Sequence, residues 1–175
     1  MAVLRLLAPR YFVASVAQLS PRLLGAWGVV ALMLDLDNTI VAWGESMPPP
    51  AIRVWVAGLR QSGIPACVVS NRTSARTRAI AALLGLPMAV GRFKPSASKL
   101  RHALQILGTP PERTAMVGDQ LFTDVLAGNR LGVPTILTAP LGPREPLRTQ
   151  VMRRIERRVL AGLARRGVRP RTPEV

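Results

Sequence analysis

The segment Val29-Val30-Ala31-Leu32-Met33-Leu34 runs directly into Asp35-Leu36-Asp37-Asn38-Thr39. Its first six residues are all apolar, which is typical of a strand that is buried on both faces of a parallel sheet. Two carboxylates then follow at the carboxyl end of this strand, the edge at which open α/β sheets bind ligands. The segment therefore predicts a central strand with a functional site at its end.

The aspartates of the chain are confined to two places. There are four in all, and the second pair, Asp119 and Asp124, follows another apolar run at 114–117. If Asp35 and Asp37 are considered by themselves, a helix cap formed by Asp37 or Thr39 is an alternative explanation that requires no function. Because both pairs follow predicted strands, we expect the carboxylates to meet at one edge of the sheet.

Strands and helices are predicted to alternate along the chain. Further apolar runs predict strands at 66–69, 88–90, 114–117 and 134–137, of which 88–90 is the weakest. Apolar periodicity predicts helices at 51–63, 74–84, 96–107 and 147–166, and a shorter one that follows Asp124 and ends near 132. This alternation is typical of an α/β, Rossmann-like parallel sheet with helices on both faces.

We divide the chain into an amphipathic N-terminal segment (1–28), a central α/β domain that contains both aspartate pairs (29–140) and a basic C-terminal helix and tail (141–175). The structural expectation for the first segment is a helix that covers one edge of the core, and the alternative is a peripheral membrane contact. In the last segment, the predicted helix has an apolar stripe expected to dock on the core, formed by Val151, Met152, Ile155, Val159 and Leu163.

Composition narrows the class of protein. The apolar content of 49% and the charged content of 19% indicate a globular chain and exclude a disordered one. The net charge is +15, and ten of the 24 Lys and Arg residues lie between 144 and 171, so the C-terminal segment faces water or an anionic partner. Cys67 is the single cysteine, which excludes an internal disulfide and favours a reducing, cytoplasmic location. The apolar run at 27–34 is too short to cross a bilayer.

Polar side chains follow each predicted strand of the central sheet. Carboxylates that converge at one edge repel each other unless a hard cation is present, and oxygen ligands of this kind suit Mg²⁺. A hydroxyl and a lysine ammonium at the same edge are suited to binding phosphate oxygens. The residues expected to gather there are Asp35, Asp37, Ser70, Asn71, Lys94, Asp119 and Asp124.

Taken in chain order, these residues resemble the four-motif pattern of the haloacid dehalogenase (HAD) superfamily of phosphatases. The resemblance extends over about 29–137 and depends on Asp35-Leu36-Asp37-Asn38-Thr39, Ser70, Lys94 and Gly118-Asp119-x-x-x-x-Asp124. Ser70-Asn71, Gly118-Asp119-Gln120-Leu121-Phe122-Thr123-Asp124-Val125 and the arginine-rich C-terminal helix are similar to subclass IIIA, YqeG-type members. Mitochondrial relatives of that group are phosphatidylglycerophosphatases.

The resemblance implies two catalytic carboxylates and a metal. Asp35 is expected to be the nucleophile that accepts the phosphoryl group. Asp37 is expected to protonate the leaving oxygen and then to activate the attacking water. Mg²⁺ is expected to be held by the carboxylates of Asp35 and Asp119 and by the backbone carbonyl of Asp37.

The resemblance also implies a phosphate-binding set. Ser70, Asn71 and Lys94 are expected to bind the transferring phosphoryl group, with Thr39 and Asp124 in supporting positions. The gaps between the motifs hold only a helix, a strand and short loops, so we expect no cap domain over the site. An open site favours a phosphate displayed on a large substrate, such as a lipid headgroup.

The leading functional hypothesis is a peripheral enzyme that hydrolyses phosphatidylglycerophosphate at the inner face of the membrane, where arginines meet anionic lipid. A phosphatase acting on nucleic-acid ends or on soluble phosphate esters is one alternative, although only seven aromatic residues are present and none lies among the arginines. A non-catalytic basic binding protein on the same fold is the other. The oligomeric state is not predicted.

Overall fold

The computed structural model of the protein describes residues 5–173 and is built on a five-stranded sheet in which all pairs are parallel. The strand order is β1-β5-β4-β2-β3. The strands are β1 (Tyr11–Val13), β2 (Ala31–Leu34), β3 (Ala66–Val68), β4 (Thr114–Gly118) and β5 (Thr135–Thr138). The predicted Rossmann-like, HAD-like α/β architecture is therefore confirmed.

The helices follow the predicted order, with changes at their ends. They are α1 (Pro21–Ala26), α2 (Pro50–Gln61), α3 (Ala75–Leu84), α4 (Ser98–Leu107), α5 (Leu126–Arg130) and α6 (Leu147–Arg165). Ser20 and Ser74 accept backbone N–H groups at the starts of α1 and α3, which fixes where these helices begin. A single bridge between Val68 and Met88 is all that forms in place of the weak strand predicted at 88–90.

Strand β2 is the centre of the molecule because both of its faces are covered. Leu32 and Leu34 point into the apolar cluster that contains α2 and α3. Met33, between them, points into a second cluster that contains residues of α4 and α5. Since successive side chains of a strand face opposite sides of the sheet, the helices lie on both faces, as predicted.

In the N-terminal segment, the only full α-helix among the described residues is the short α1, and the rest of the described segment has a different structure. Residues Tyr11–Val13 instead add β1 to the edge of the sheet, beside β5. Tyr11 is buried and stacks on Trp27 with ring centroids 3.9 Å apart, and the indole of Trp55 donates to the Leu19 carbonyl at 2.9 Å. The helix prediction therefore holds only for α1 and is wrong for Tyr11–Val13. Tyr11 and Leu19 are buried in the protein, which does not favour a membrane contact through these side chains.

The C-terminal helix also differs from the prediction. Of its expected apolar stripe, Leu163 is buried, but Val151 and Ile155 are exposed to solvent. Val159 also packs against an apolar cluster, as predicted, but the buried face of α6 includes a charged residue, because Glu156 is buried against the loop that follows β4. The spacing of the apolar residues in the sequence could not show which side of α6 is buried and which is exposed.

The connections between the motifs are short. Within residues 5–173, the chain passes from Asp37 to Ser70 through α2 and β3, and from Asn71 to Lys94 through α3, so the absence of a cap domain is confirmed for this part of the protein. None of the helices in the same range combines the length and apolar character needed to cross a bilayer.

Cys67 offers a test of this packing. Its side chain is fully buried in β3, and burial raises the pKa of its thiol to about 11. A reagent that needs the thiolate, such as Ellman's reagent at pH 8, is therefore expected to label the folded protein only through unfolding, at a small fraction of the rate for denatured protein. The denatured chain serves as the control and should yield one thiol per molecule, while rapid labelling of the folded chain would contradict this packing.

Candidate active site

The site lies at the carboxyl ends of β2, β3 and β4. Asp35, directly after β2, donates its backbone N–H to the Val117 carbonyl of β4 at 2.9 Å, and Val69 donates to the Leu34 carbonyl at 2.8 Å. The chain runs from β2 outward to β3 and then returns past β2 to β4, so the gap between β2 and β4 is the switch point of the topology. Ligand sites of open α/β sheets form at such points.

Lys94 joins two of the aspartates. Its ammonium nitrogen, Nζ, lies 2.5 Å from Asp35 Oδ1 and 2.6 Å from Asp124 Oδ1, and its side chain is buried. Burial acts to lower the pKa of Lys94, but Asp124 and Asp35 outweigh it and raise this pKa above its ordinary value. Lys94 therefore keeps its positive charge in the interior of the site.

Three carboxylates form an acidic cluster. Asp35, Asp119 and Asp124 each offer an oxygen within 4.8 Å of the other two, and all three residues are buried. Burial raises the pKa of Asp35 well above its usual range, and burial together with Asp124 raises that of Asp119. Close, buried oxygen donors of this kind fit a hard divalent cation such as Mg²⁺, which relieves their mutual repulsion.

Asp124 reaches the cluster because the chain turns tightly after β4. It lies in a π-helical turn, Leu121–Val125, which begins before the short helix predicted to follow Asp124, and its Oδ2 accepts the Gln120 N–H at 3.2 Å. A Cβ on Gly118 would lie 2.3 Å from the Asp124 carboxyl group. Position 118 therefore has room for glycine only, and π-turns of this type are frequent at functional sites.

The predicted phosphate-binding residues lie together in one cavity of about 120 Å³, which Asp35 and Asp37 also line. Asn71 accepts the Lys94 N–H through Oδ1 at 2.6 Å and donates to the Lys94 carbonyl at 3.2 Å, so it fixes the backbone that carries the lysine. Ser70 is buried beside Asn71. The backbone carbonyl of Ser70 accepts a hydrogen bond from Lys99 of α4, a residue to which no role was assigned from the sequence.

Asp37 and Thr39 occupy different parts of the site. The side chain of Asp37 lies outside the acidic cluster and accepts a hydrogen bond from Arg76 at 2.7 Å. Thr39 donates to Asp119 Oδ1 at 3.4 Å, which agrees with a supporting position. The contribution of Asp37 to a metal through its backbone carbonyl stays a prediction.

Arg153 is the main residue that the sequence analysis missed. It lies on α6 but reaches the site, where it pairs with Asp119 Oδ2, donates to the Asp119 carbonyl at 2.5 Å and binds Glu145 at 2.5 Å. Glu145 also accepts from Asn38 at 2.8 Å, and Glu156 accepts the Leu121 N–H at 2.7 Å. In sequence, Arg153 was grouped with arginines facing water or an anionic partner, and this is wrong for Arg153.

Comparison with known proteins agrees with this geometry. The family model described as a haloacid dehalogenase-like hydrolase matches residues 8–132. The chain belongs to this family. It is 33% identical to the probable phosphatase YqeG of Bacillus subtilis strain 168 over 91% of the chain and 92% of that protein. The prediction of a HAD-type phosphatase resembling YqeG is therefore confirmed.

Two further proteins are similar to the chain at lower identity. A chloroplastic and mitochondrial phosphatidylglycerophosphate phosphatase 1 of Arabidopsis thaliana is 29% identical over 82% of the chain, which spans 44% of that longer protein. The cobalt-bound deoxy-D-mannose-octulosonate 8-phosphate phosphatase of Haemophilus influenzae has a TM-score of 0.50 at 16% identity, covering 79% of the chain and 91% of that structure. The latter likeness supports the fold alone.

Replacing Arg153 tests whether it is the cation that pairs with Asp119 and Glu145. We expect Arg153→Met to lower the free energy of unfolding by about 3 kcal/mol, because Asp119 and Glu145 would remain buried without their partner. Arg154→Met, at the exposed neighbouring position, should change it by less than about 0.5 kcal/mol. Urea unfolding of both variants gives the comparison, and equal effects would refute the pairing.

Gly118→Ala tests the close approach of Asp124. The added methyl group has no space beside the Asp124 carboxyl group, so we expect a loss of about 1–3 kcal/mol in unfolding free energy. Gly58→Ala in α2 is the matched control, since its Cβ would meet nothing within 4 Å. The control should be neutral or slightly stabilising, and a neutral Gly118→Ala would mean that Asp124 lies elsewhere.

Proposed function

We propose that this HAD hydrolase is a Mg²⁺-dependent phosphomonoesterase that forms an aspartyl phosphate at Asp35. The observation that carries the proposal is the position of Lys94 Nζ, 2.5 Å from Asp35 and 2.6 Å from Asp124, beside an acidic cluster at the end of the central strand. A nucleophile, a fixed positive charge and oxygen donors for a metal are the parts that phosphoryl transfer needs.

In the first step, a carboxylate oxygen of Asp35 attacks phosphorus, and the bond to the ester oxygen breaks. The leaving oxygen takes a proton from Asp37, so an alcohol departs while the phosphoryl group stays on Asp35. Lys94 and Ser70 line the same cavity and supply hydrogen bonds to the phosphoryl oxygens. Arg76 holds Asp37 Oδ1 and so orients the carboxyl group toward the cavity.

In the second step, Asp37 accepts a proton from water as the water oxygen attacks phosphorus. The bond to Asp35 breaks, inorganic phosphate is released, and both aspartates return to their starting states. Asp35, Asp119 and the backbone carbonyl of Asp37 would hold Mg²⁺, which when bound supplies positive charge that offsets the charge of the phosphoryl group.

Phosphatidylglycerophosphate is the proposed substrate, with phosphatidylglycerol as product at the cytoplasmic face of the membrane. The name of the Arabidopsis relative supports it, and so does the uncapped cavity, because a lipid headgroup can enter without being enclosed. This lipid also carries a phosphodiester. Arg72 lines the cavity with a half-exposed side chain 5.5 Å from the ring centroid of Trp43, in a position suited to that second phosphate.

Substitution of the nucleophile tests the reaction. Asp35→Asn keeps the size of the side chain but removes its nucleophilic charge, so phosphate release from phosphatidylglycerophosphate in mixed micelles should fall at least about a thousandfold. Chelation of Mg²⁺ should abolish release by the native protein, and added Mg²⁺ should restore it. Glu112→Gln, an exposed isosteric change, is the control and should keep full activity.

The covalent intermediate can be detected separately. Because Asp37 acts in both steps, the native protein is the one to use. Acid quenching during turnover of ³²P-labelled substrate should trap acid-stable, hydroxylamine-sensitive label on the native protein and none on Asp35→Asn. Good turnover of soluble phosphate esters with no release from the lipid would reject the lipid substrate, and absence of label under single-turnover conditions would reject the intermediate.

A further inference from the structure

The outer face of α6 carries an aliphatic stripe. Leu147 is 79% exposed, Val151 54% and Ile155 41%, and their spacing of four residues places them on one side of the helix. Exposed aliphatic residues that are aligned in this way form a continuous apolar surface. At 1.5 Å per residue, the stripe runs about 12 Å along α6 from its N-terminal end.

The charges around this stripe have one sign. Arg148, Arg154 and Arg158 are exposed on the same helix. The carboxylates of this region are turned away from them, because Glu145 pairs with Arg153 and Glu156 accepts backbone N–H groups of the site loop. The outer face of α6 therefore combines aliphatic side chains with arginines and presents no carboxylate.

The stripe begins at the edge of the active-site cavity. Leu147 directly follows Pro146, which lines the cavity, and two more exposed apolar side chains lie close in sequence to other lining residues. Phe93 is 71% exposed and directly precedes Lys94, and Met47 is 57% exposed in the loop after Trp43. Three separate segments that contribute residues to the cavity thus also carry exposed apolar side chains.

We propose that this surface docks on an anionic phospholipid bilayer. We call it the docking face and define it by Met47, Phe93, Leu147, Val151 and Ile155 with the three arginines Arg148, Arg154 and Arg158. The proposal rests on the proposed function, because it explains how a lipid phosphate reaches Lys94. Aliphatic side chains enter the interfacial layer while arginines bind lipid phosphates, which aligns the cavity opening with the headgroups.

The side chains of the docking face favour an anionic bilayer over nucleic acid as its partner. Nucleic acids are bound by basic residues together with aromatic side chains that stack on bases. On α6 the exposed apolar residues are aliphatic, and Phe93 is the single aromatic residue of the docking face. Contact with a nucleic-acid phosphate backbone does not bury the apolar surface of aliphatic side chains. Insertion at the acyl boundary of a bilayer does bury it, and this burial stabilises binding.

Vesicle co-sedimentation of the full chain tests the proposal. The vesicles contain phosphatidylcholine alone or phosphatidylcholine with phosphatidylglycerol, and we expect binding to the second kind. The triple variant Leu147→Gln, Val151→Gln, Ile155→Gln should bind about tenfold more weakly. The triple variant Arg148→Gln, Arg154→Gln, Arg158→Gln should bind about a hundredfold more weakly, since each arginine near an anionic leaflet contributes about fivefold.

The chain offers a matched control for the aliphatic variant. Val54, Leu83 and Ile106 lie on α2, α3 and α4 with exposures of 72%, 52% and 38%, close to those of the stripe. Their combined replacement by Gln should leave vesicle binding within about twofold of the native value. Both aliphatic variants should keep the hydrolysis rate on a soluble phosphate monoester, which shows that they are folded.

The outcomes separate the docking face from the proposed substrate. Loss of hydrolysis on vesicles, with hydrolysis in detergent micelles retained by the stripe variant, supports the docking face. Native protein that binds anionic vesicles through these residues but releases no phosphate from the lipid supports docking and overturns the substrate. Native protein that does not bind anionic vesicles, or binds them equally after the stripe is replaced, overturns the docking face even if the lipid is hydrolysed in micelles.

Discussion

The site depends on how three buried carboxylates are kept together. Asp35, Asp119 and Asp124 each have one carboxylate oxygen within 4.8 Å of the other two. Negative charges this close and shielded from water destabilise the fold unless cations pair with them. Lys94 provides one cation between Asp35 and Asp124, and Arg153 provides another at Asp119. Since loss of one partner from a buried pair costs about 3–5 kcal/mol, the loop that carries Lys94 and the helix that carries Arg153 are held at the carboxyl edge of the sheet.

This constraint gives α6 two different faces. Its inner face belongs to the active site, because Arg153 binds Asp119 and Glu156 holds the turn that contains Asp124. Its outer face carries aliphatic and basic side chains and no carboxylate, because Glu145 and Glu156 form their contacts on the inner side. A helix that looks like a simple basic appendage in sequence is therefore part of the candidate site and also carries most of the proposed docking face.

Much of the site was predictable because its signals are local. An apolar strand followed by Asp35 and Asp37, and a second strand followed by Asp119 and Asp124, are patterns that lie within a dozen residues. Parallel strand ends share an edge, so adjacency in space follows from the fold class. Arg153 could not be found in this way, because its partner Asp119 is 34 residues away and nothing in the sequence distinguishes it from the exposed Arg154.

Alternating strands and helices, together with the four motifs and their order, were enough to predict the α/β sheet, the HAD family and the edge where the candidate site lies. They were enough because backbone periodicity and strand direction are local properties. Folding in three dimensions settled the edge strand Tyr11–Val13, the π-turn that delivers Asp124, and which side of α6 is buried. Each of these depends on long-range packing and on the cost of an unpaired buried charge, and a short stretch of sequence encodes neither.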